Sequence, residues 1–246
     1  MTTGGAPRVK SADRTVELLE LLAVSPERRT LVDIARDLDI PKSSMHGLLR
    51  TLVRRGWVET DSAGLRYGLG VQALRIGTAY LRTDRSVRRL TPVVDRLHRE
   101  LGATVQLGRL TGDQVICLVS REKAEATPSV GAGLYAPAHA TALGRAVLAR
   151  ITLGSPPAET PPNGPSPDDL AQTRARGYAV DWVPVGTASC CSVAVAAPPK
   201  LGPHDAIAVS VAVRRLTAPR ARDIAEAIMS AVAAGLVADN YVAAPH

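Results

Sequence analysis

PKSSMHGLLRTLVRR, residues 41–55, decides how this chain reads. Met45, Leu48, Leu49, Leu52 and Val53 recur at i, i+3, i+4, i+7 and i+8, the stripe of a helix buried along one side. Lys42, Ser43, Ser44, His46, Arg50 and Arg54 fall off the stripe and face outward. Between Asp39 and Glu59 the chain has four Lys/Arg and no acid. Pro41 opens the helix where a proline is tolerated. A shorter helix over 31–38, apolar through Leu31, Ile34, Ala35 and Leu38, precedes it across the turn Asp39-Ile40. Another over 11–23 carries Val16, Leu19, Leu22 and Ala23 on one face, with Ser11 or Asp13 to cap it. A basic helix behind a short turn is how a helix-turn-helix presents its recognition helix to the major groove. Short hydroxyls and a lysine near its start suit phosphates and base edges.

Working outward, two short strands over 57–60 and 65–69 flank Asp61-Ser62-Ala63-Gly64, a turn of hairpin length. Three helices and a hairpin make a winged helix, with Arg66 on the wing placed for the DNA backbone or the minor groove. The competing reading of this module is a three-helix unit that mediates only protein contacts. Helical patterns follow over 71–81 and 87–101. Their apolar faces suit either a dimer contact or a plain connector between domains.

From Ala103 the pattern turns to strands. Residues 103–109 and 114–121 flank Thr111-Gly112-Asp113 as a hairpin. APAHATALGRAVLA begins as a loop and becomes a helix near Thr141, and the proline-rich stretch 154–167 is irregular. A helix over 168–176, strands over 178–183, 191–197 and 206–213, and a last helix over 219–237 complete an α+β architecture, an antiparallel sheet flanked by helices. The resulting division is 8–70 for a winged helix-turn-helix domain, 71–84 for a linker helix and 85–240 for a second domain.

Charge supports the division. The net charge is +7 over 246 residues. Residues 1–70 hold eleven Lys/Arg against nine Asp/Glu, residues 71–100 seven against three, and the remainder is nearly balanced. A basic first hundred residues beside a neutral domain is the footprint of a nucleic-acid binder. No stretch approaches the ~18 uninterrupted apolar residues of a membrane span, and the start of the chain has no secretory h-region. The expected location is the cytoplasm.

Enzyme chemistry is hard to find. Three cysteines make no disulfide framework, and adjacent Cys190 and Cys191 point to opposite sides of a strand. There is no phosphate loop, dinucleotide fingerprint or metal-ligand spacing. His139 with Cys191 is a conceivable nucleophile pair, but a structural histidine at a loop corner fits better. No metal, cofactor or catalytic residue is expected.

The stretches VKSADRTVELLELLA, LVDIARDLDIPKSSMHGLLRTLVRRGWVE, YGLG, PAHATALGRAVLA, LAQTRARGYAVD and AIAVSVAV, in this order, resemble the IclR-type regulators over about residues 8–237. The resemblance implies a winged helix-turn-helix, a helical linker and a GAF-like effector domain. It implies homodimers or tetramers acting as repressors or activators at palindromic operators in double-stranded DNA, under control of a small effector. Carried over residue by residue, the effector site is Ala140, Thr141, Ala142, Leu143, Gly144, Asp181, Cys191 and Ser210. Backbone donors at a helix start beside polar side chains suit a small carboxylate. The chain departs from the family pattern at Gly47, where arginine is common, at Trp182-Val183-Pro184, at Ala188-Ser189-Cys190-Cys191 and at Ala212. Two other readings stand beside this one: a GAF-like enzyme or cofactor-binding protein with a vestigial helix-turn-helix, and a DNA-architectural protein without an effector.

Overall fold

The computed structural model describes residues 9–123, 131–151, 166–185, 188–213 and 216–242, with the side chains of 183–189 and of residues beyond 236 left aside. The expected irregular loop at 154–167 lies outside them except for its last two residues. The chain divides into two compact units, residues 1–80 and 81–246.

In the first unit, α1 (Lys10–Val24), α2 (Leu31–Asp37) and α3 (Lys42–Arg54) enclose a core of Leu18, Leu22, Ile34, Ala35, Met45, Leu49, Leu52 and Val58. The face of α1 differs from its expected one. Val16 and Ala23 are exposed, and Leu18 and Leu22 are the buried pair. The helix is already formed at Lys10 with Val9 ahead of it, so neither Ser11 nor Asp13 is its cap. The apolar run LLELLA offers two overlapping stripes, and packing against α2 and α3 selects one.

The α2–α3 turn is a Schellman motif. The Asp39 N–H donates to Arg36 O at 3.2 Å and the Ile40 N–H to Ala35 O at 2.9 Å. Ile40 is buried, while Asp39 takes the left-handed φ of +49° that glycine usually supplies. The wing consists of β2 (Val58–Thr60) and β3 (Arg66–Leu69), antiparallel. A third strand, β1 (Arg29–Thr30), pairs with β3; two residues are too short for a period-2 pattern to announce. Asp61 fixes the wing turn, its carboxylate accepting from the N–H groups of Leu65 (2.8 Å) and Arg66 (3.2 Å). Those two bonds hold its carboxyl below the ordinary range. α4 (Val71–Thr83) buries none of its side chains and leaves Val71, Leu74, Ile76 and Tyr80 exposed.

The second unit is a six-stranded antiparallel sheet ordered β6-β5-β4-β9-β8-β7. Its strands are β4 (Thr104–Thr111), β5 (Gln114–Arg121), β6 (Tyr135–Pro137), β7 (Ala179–Val185), β8 (Ala188–Ala196) and β9 (Asp205–Ala212). α5 (Arg85–Leu101) and α8 (Ala218–Val242) cover one face, burying Val87, Leu90, Val94, Leu97, Ile224 and Ile228 against Val105, Leu107, Val193, Ile207 and Val209. The apolar face of α5 is therefore part of its own core and does not serve as a dimer surface. α6 (Ala142–Ile151) packs on the other face, with α7 (Pro167–Arg176) beside it. There Ala179, Ala194, Ala206 and Ala208 let the helix approach closely. At Gly108 a Cβ would meet Leu143 Cδ1 at 2.9 Å.

An ion cluster ties the start of α5 to the sheet. Arg109 of β4 donates to Asp205 of β9 through Nε (2.6 Å) and Nη2 (2.8 Å), and to Asp84 through Nη1 (2.6 Å) and Nη2 (3.1 Å). Asp84 also caps α5, accepting from the Val87 N–H at 2.9 Å. Ser86 Oγ donates to the second oxygen of Asp205, which is fully buried. The Arg109 guanidinium holds the Asp84 carboxyl below the usual carboxylate range.

Candidate nucleic-acid interface and ligand site

Amphipathic α3 presents Lys42, Ser43, Ser44, His46, Arg50 and Arg54 to solvent while Met45, Leu49 and Leu52 are buried. Leu48 and Val53 are half-buried. The first turn contains no acid and no side chain caps its N–H groups. It therefore keeps the partial positive charge of a helix start open to an anion. Arg66 is exposed on the wing and donates to Arg28 O at 3.3 Å.

Gly47 lies in the middle of this exposed face, and a Cβ built on it meets nothing within 4 Å. Gly47→Ala is thus expected to stabilise the protein by up to about 1 kcal/mol in thermal or urea unfolding, because glycine is the costlier residue in a helix interior. Loss of stability would mean that the helix is irregular there.

On the α6 face of the second unit, strand register lines up four polar side chains. Thr104 pairs with Ser210, Ser210 with Ser192, and Ser192 with Asp181. Residues paired across antiparallel strands point to the same side, so a polar row crosses β4, β9, β8 and β7. Ser210 is 3% exposed and its Oγ lies 2.7 Å from Ser192 Oγ. Thr104, 1% exposed, accepts from the Lys123 N–H at 3.1 Å. Gln106, one pair further along, is also buried and donates to Cys117 Sγ at 3.7 Å. Arg145, in the second turn of α6, reaches this row. It lies 3.5 Å from Asp181 and donates to Val180 O. The start of α6 is built by Thr141, whose hydroxyl accepts from the Gly144 N–H at 3.0 Å.

The comparisons with known proteins agree with this layout. Residues 11–62 match the IclR helix-turn-helix domain, and residues 78–153 the C-terminal domain of the bacterial transcriptional regulator IclR. The chain belongs to the IclR family. It is 34% identical to the HTH-type transcriptional regulator BhcR of Paracoccus denitrificans over 194 residues, 70% of this chain and 67% of that one. Against the glycerol operon regulatory protein of Streptomyces coelicolor the identity is 35% over 188 residues, covering 72% and 74%. Against the transcriptional repressor IclR of Escherichia coli it is 26%, covering 94% and 90%. The crystal structure of an IclR-type regulator from Alicyclobacillus acidocaldarius superposes with a TM-score of 0.74 at 22% identity, over 93% of this chain and 98% of that one. An IclR homologue from Microbacterium hydrocarbonoxydans, solved with 4-hydroxybenzoate, gives 0.69 at 22%, over 91% and 99%. This IclR-family chain is thus a transcription regulator with a helix-turn-helix and an effector-binding domain.

Within the IclR-type effector domain, the structure gathers Asp181 and Ser210 on one face and sets Ala142, Leu143 and Gly144 buried at the start of α6 on that face. Thr141 is half-buried and Ala140 exposed just before them. Cys191 does not join this group. It is fully buried among Val193, Val195, Ile207 and Val209 on the α5/α8 side. Cys190, its neighbour, pairs with Ala212 and so shares the face of Ser210. A one-residue slip exchanges the two faces of a strand, and the adjacent cysteines made that slip invisible in the sequence.

Burial pushes the Cys191 thiol up to about 12 and the Cys117 thiol to about 11, so neither is a thiolate at neutral pH. His139 belongs to the segment leading into α6, across the sheet from Cys191, and the two make no nucleophile pair. Sequence reasoning missed Thr104, Gln106, Arg145 and Ser192. Ser192 could have been placed by period-2 alternation from Ala194; the others needed the strand order.

Proposed function

We propose that the chain binds a palindromic DNA operator as a homodimer or tetramer through α3 and the wing, and that a small carboxylate-bearing metabolite at the polar row alters that binding. The carrying observation is α3 itself: an exposed, acid-free face of Lys42, Ser43, Ser44, His46, Arg50 and Arg54 beginning in an uncapped helix end. In this reading residues 8–70 contact DNA, 71–84 form the linker and 85–240 hold the effector, in a cytoplasmic regulator without catalysis. Two half-sites need two copies, and the exposed apolar residues of α4 offer a surface for the pairing.

The carboxylate would meet the Ala140–Gly144 segment at the start of α6 through amides other than those of Thr141 and Gly144, which donate to Ala138 O and the Thr141 hydroxyl, and Ser210 with Ser192 would supply neutral hydrogen bonds. Asp181, already answered by Arg145, would orient that guanidinium toward the ligand. Cys190 takes the place first given to Cys191. The neighbour solved with 4-hydroxybenzoate supports a small acid with a hydrocarbon body.

Gel shifts against the DNA flanking the chain's own gene test both halves. Lys42→Ala and Arg50→Ala should each weaken operator binding and reduce the salt slope by about one ion per lost phosphate contact. Ser44→Ala should change specificity more than affinity for random DNA. Unchanged binding in all three would remove α3 from the interface, and salt-dependent binding without sequence preference would favour the architectural reading.

For the effector, Ser210→Ala and Asp181→Asn should weaken the metabolite's effect by about 1–3 kcal/mol through lost hydrogen bonds, with ligand-free DNA binding intact. If no small acid raises the melting temperature and both variants respond as wild type, the sensor reading fails.

A further inference from the structure

One edge of the six-stranded sheet is long and rich in strand-forming residues. β7 (Ala179–Val185) stands last in the strand order and, among the described residues, pairs only with β8. The opposite edge, β6, is three residues long. Val180, Trp182 and Val183 favour strands, and Trp182 is 44% exposed. An exposed edge of this composition is a template on which another chain adds a strand.

In an antiparallel strand the N–H and C=O of one residue point the same way, and successive residues alternate. Three backbone groups at alternate positions of this segment bond to side chains instead of to a strand. Tyr178 O accepts from Arg176 Nε at 2.6 Å, Val180 O accepts from Arg145 Nη2, and the Trp182 N–H donates to Asp181 Oδ1 at 2.8 Å. The next residue in the alternation, Pro184, has no N–H to offer. Tyr178, Val180, Trp182 and Pro184 are thus the outward set, and each has at least one of its two backbone groups taken or missing. The two arginines are themselves held. Arg176 ends α7 and its guanidinium lies over the Tyr178 ring, 5.0 Å from the centroid. Arg145 comes from α6 and lies 3.5 Å from Asp181. A pairing strand would have to displace both guanidinium groups, and would meet a proline where it needs a donor.

We propose that β7 is a closed edge: Arg145, Arg176, Asp181 and Pro184 keep a second copy of this chain from adding its own β7 alongside. Copies of the regulator then assemble through other surfaces. This role of Arg145 needs no ligand and is independent of the effector reading.

Sedimentation of the full chain without ligand or DNA, over a range of concentrations, reads the edge directly. Arg145→Ala/Arg176→Ala frees two carbonyl acceptors, and Arg176→Ala/Pro184→Thr opens the edge without touching Arg145; thermal transitions verify both folds. At the highest concentration each should show an average mass at least about twofold above wild type, because edges related by a twofold axis join whole assemblies in pairs. Hydrogen exchange across residues 178–185 should slow as either variant is concentrated, whereas simple loosening of β7 would speed it. Arg85→Ala/Arg88→Ala, which removes two charges from the exposed side of α5, should keep the wild-type mass. Wild-type mass in every folded edge variant, or association without slower exchange at 178–185, would overturn the proposal. So would equal association of the α5 variant, which would assign the effect to lost charge.

Discussion

Arg109→Ala is expected to destabilise the second unit by about 3–5 kcal/mol, the cost of removing one partner from a buried ion pair. The guanidinium answers two carboxylates, and its loss leaves the fully buried Asp205 with the Ser86 hydroxyl and the more distant charge of Arg150, and leaves Asp84 free of its counter-charge. Asp84 would still cap α5 through the Val87 N–H, so the helix itself should persist while its anchorage to β4 and β9 loosens. Urea unfolding followed by a probe in the sheet measures this. Arg109→Met combined with Asp205→Asn should recover part of the loss, because the fully buried Asp205 charge is then removed and only the less buried Asp84 is left without its cation. If the single variant costs under about 1 kcal/mol, the cluster is not a buried pair in solution.

The same cluster gives a pH dependence of known sign. Asp84 has its folded pKa lowered, so its stabilising contribution is complete above the ordinary carboxylate value of about 3.9 and is lost as pH falls through the folded value. Wild type should therefore lose stability more steeply below about pH 4 than Arg109→Ala does. Equal acid limbs would show that the arginine does not hold the Asp84 proton equilibrium.

Gly144→Ala should be nearly as damaging, about 3 kcal/mol, at the upper end of what overpacking costs. A Cβ at this position would sit 2.1 Å from the backbone oxygen of Ala138. Backbone cannot rotate away as a side chain can, so the segment 138–141 would have to separate from α6. The hydroxyl of Thr141 would then lose the Gly144 N–H, and Leu143 would shift from its place over Gly108. Thermal denaturation should show the loss, and under the proposed function the response to any small acid should vanish with it. The converse control is Gly177, whose Cβ position is open but whose φ is +82°. There alanine should cost about 1 kcal/mol from backbone strain alone and leave the α6 start intact.

The sequence by itself determined α3, the turn before it and the β2–β3 hairpin of the first unit, but not the buried face of α1 or the short strand β1. The stripe Met45, Leu48, Leu49, Leu52 and Val53 leaves only one face of α3 to bury, so the outward set from Lys42 to Arg54 follows from local periodicity. The turn at Asp39-Ile40 and the β2–β3 hairpin are likewise short-range features, encoded in adjacent residues. Even the alternation of Cys190 and Cys191 was legible, though not which of them faces Ser210. That choice belonged to the tertiary structure, as did the polar row. Period 2 assigns residues to two sides of a strand, but it names neither the neighbouring strand nor its register. Thr104 and Ser210 meet because β9 inserts beside β4, and Arg109 reaches Asp205 across 96 residues for the same reason. Likewise the apolar side of α5 could have packed on a second subunit or on its own sheet. The sheet claimed it because β4, β8 and β9 present Val105, Leu107, Val193, Ile207 and Val209 to that helix, a complementarity that exists only after the strands have assembled.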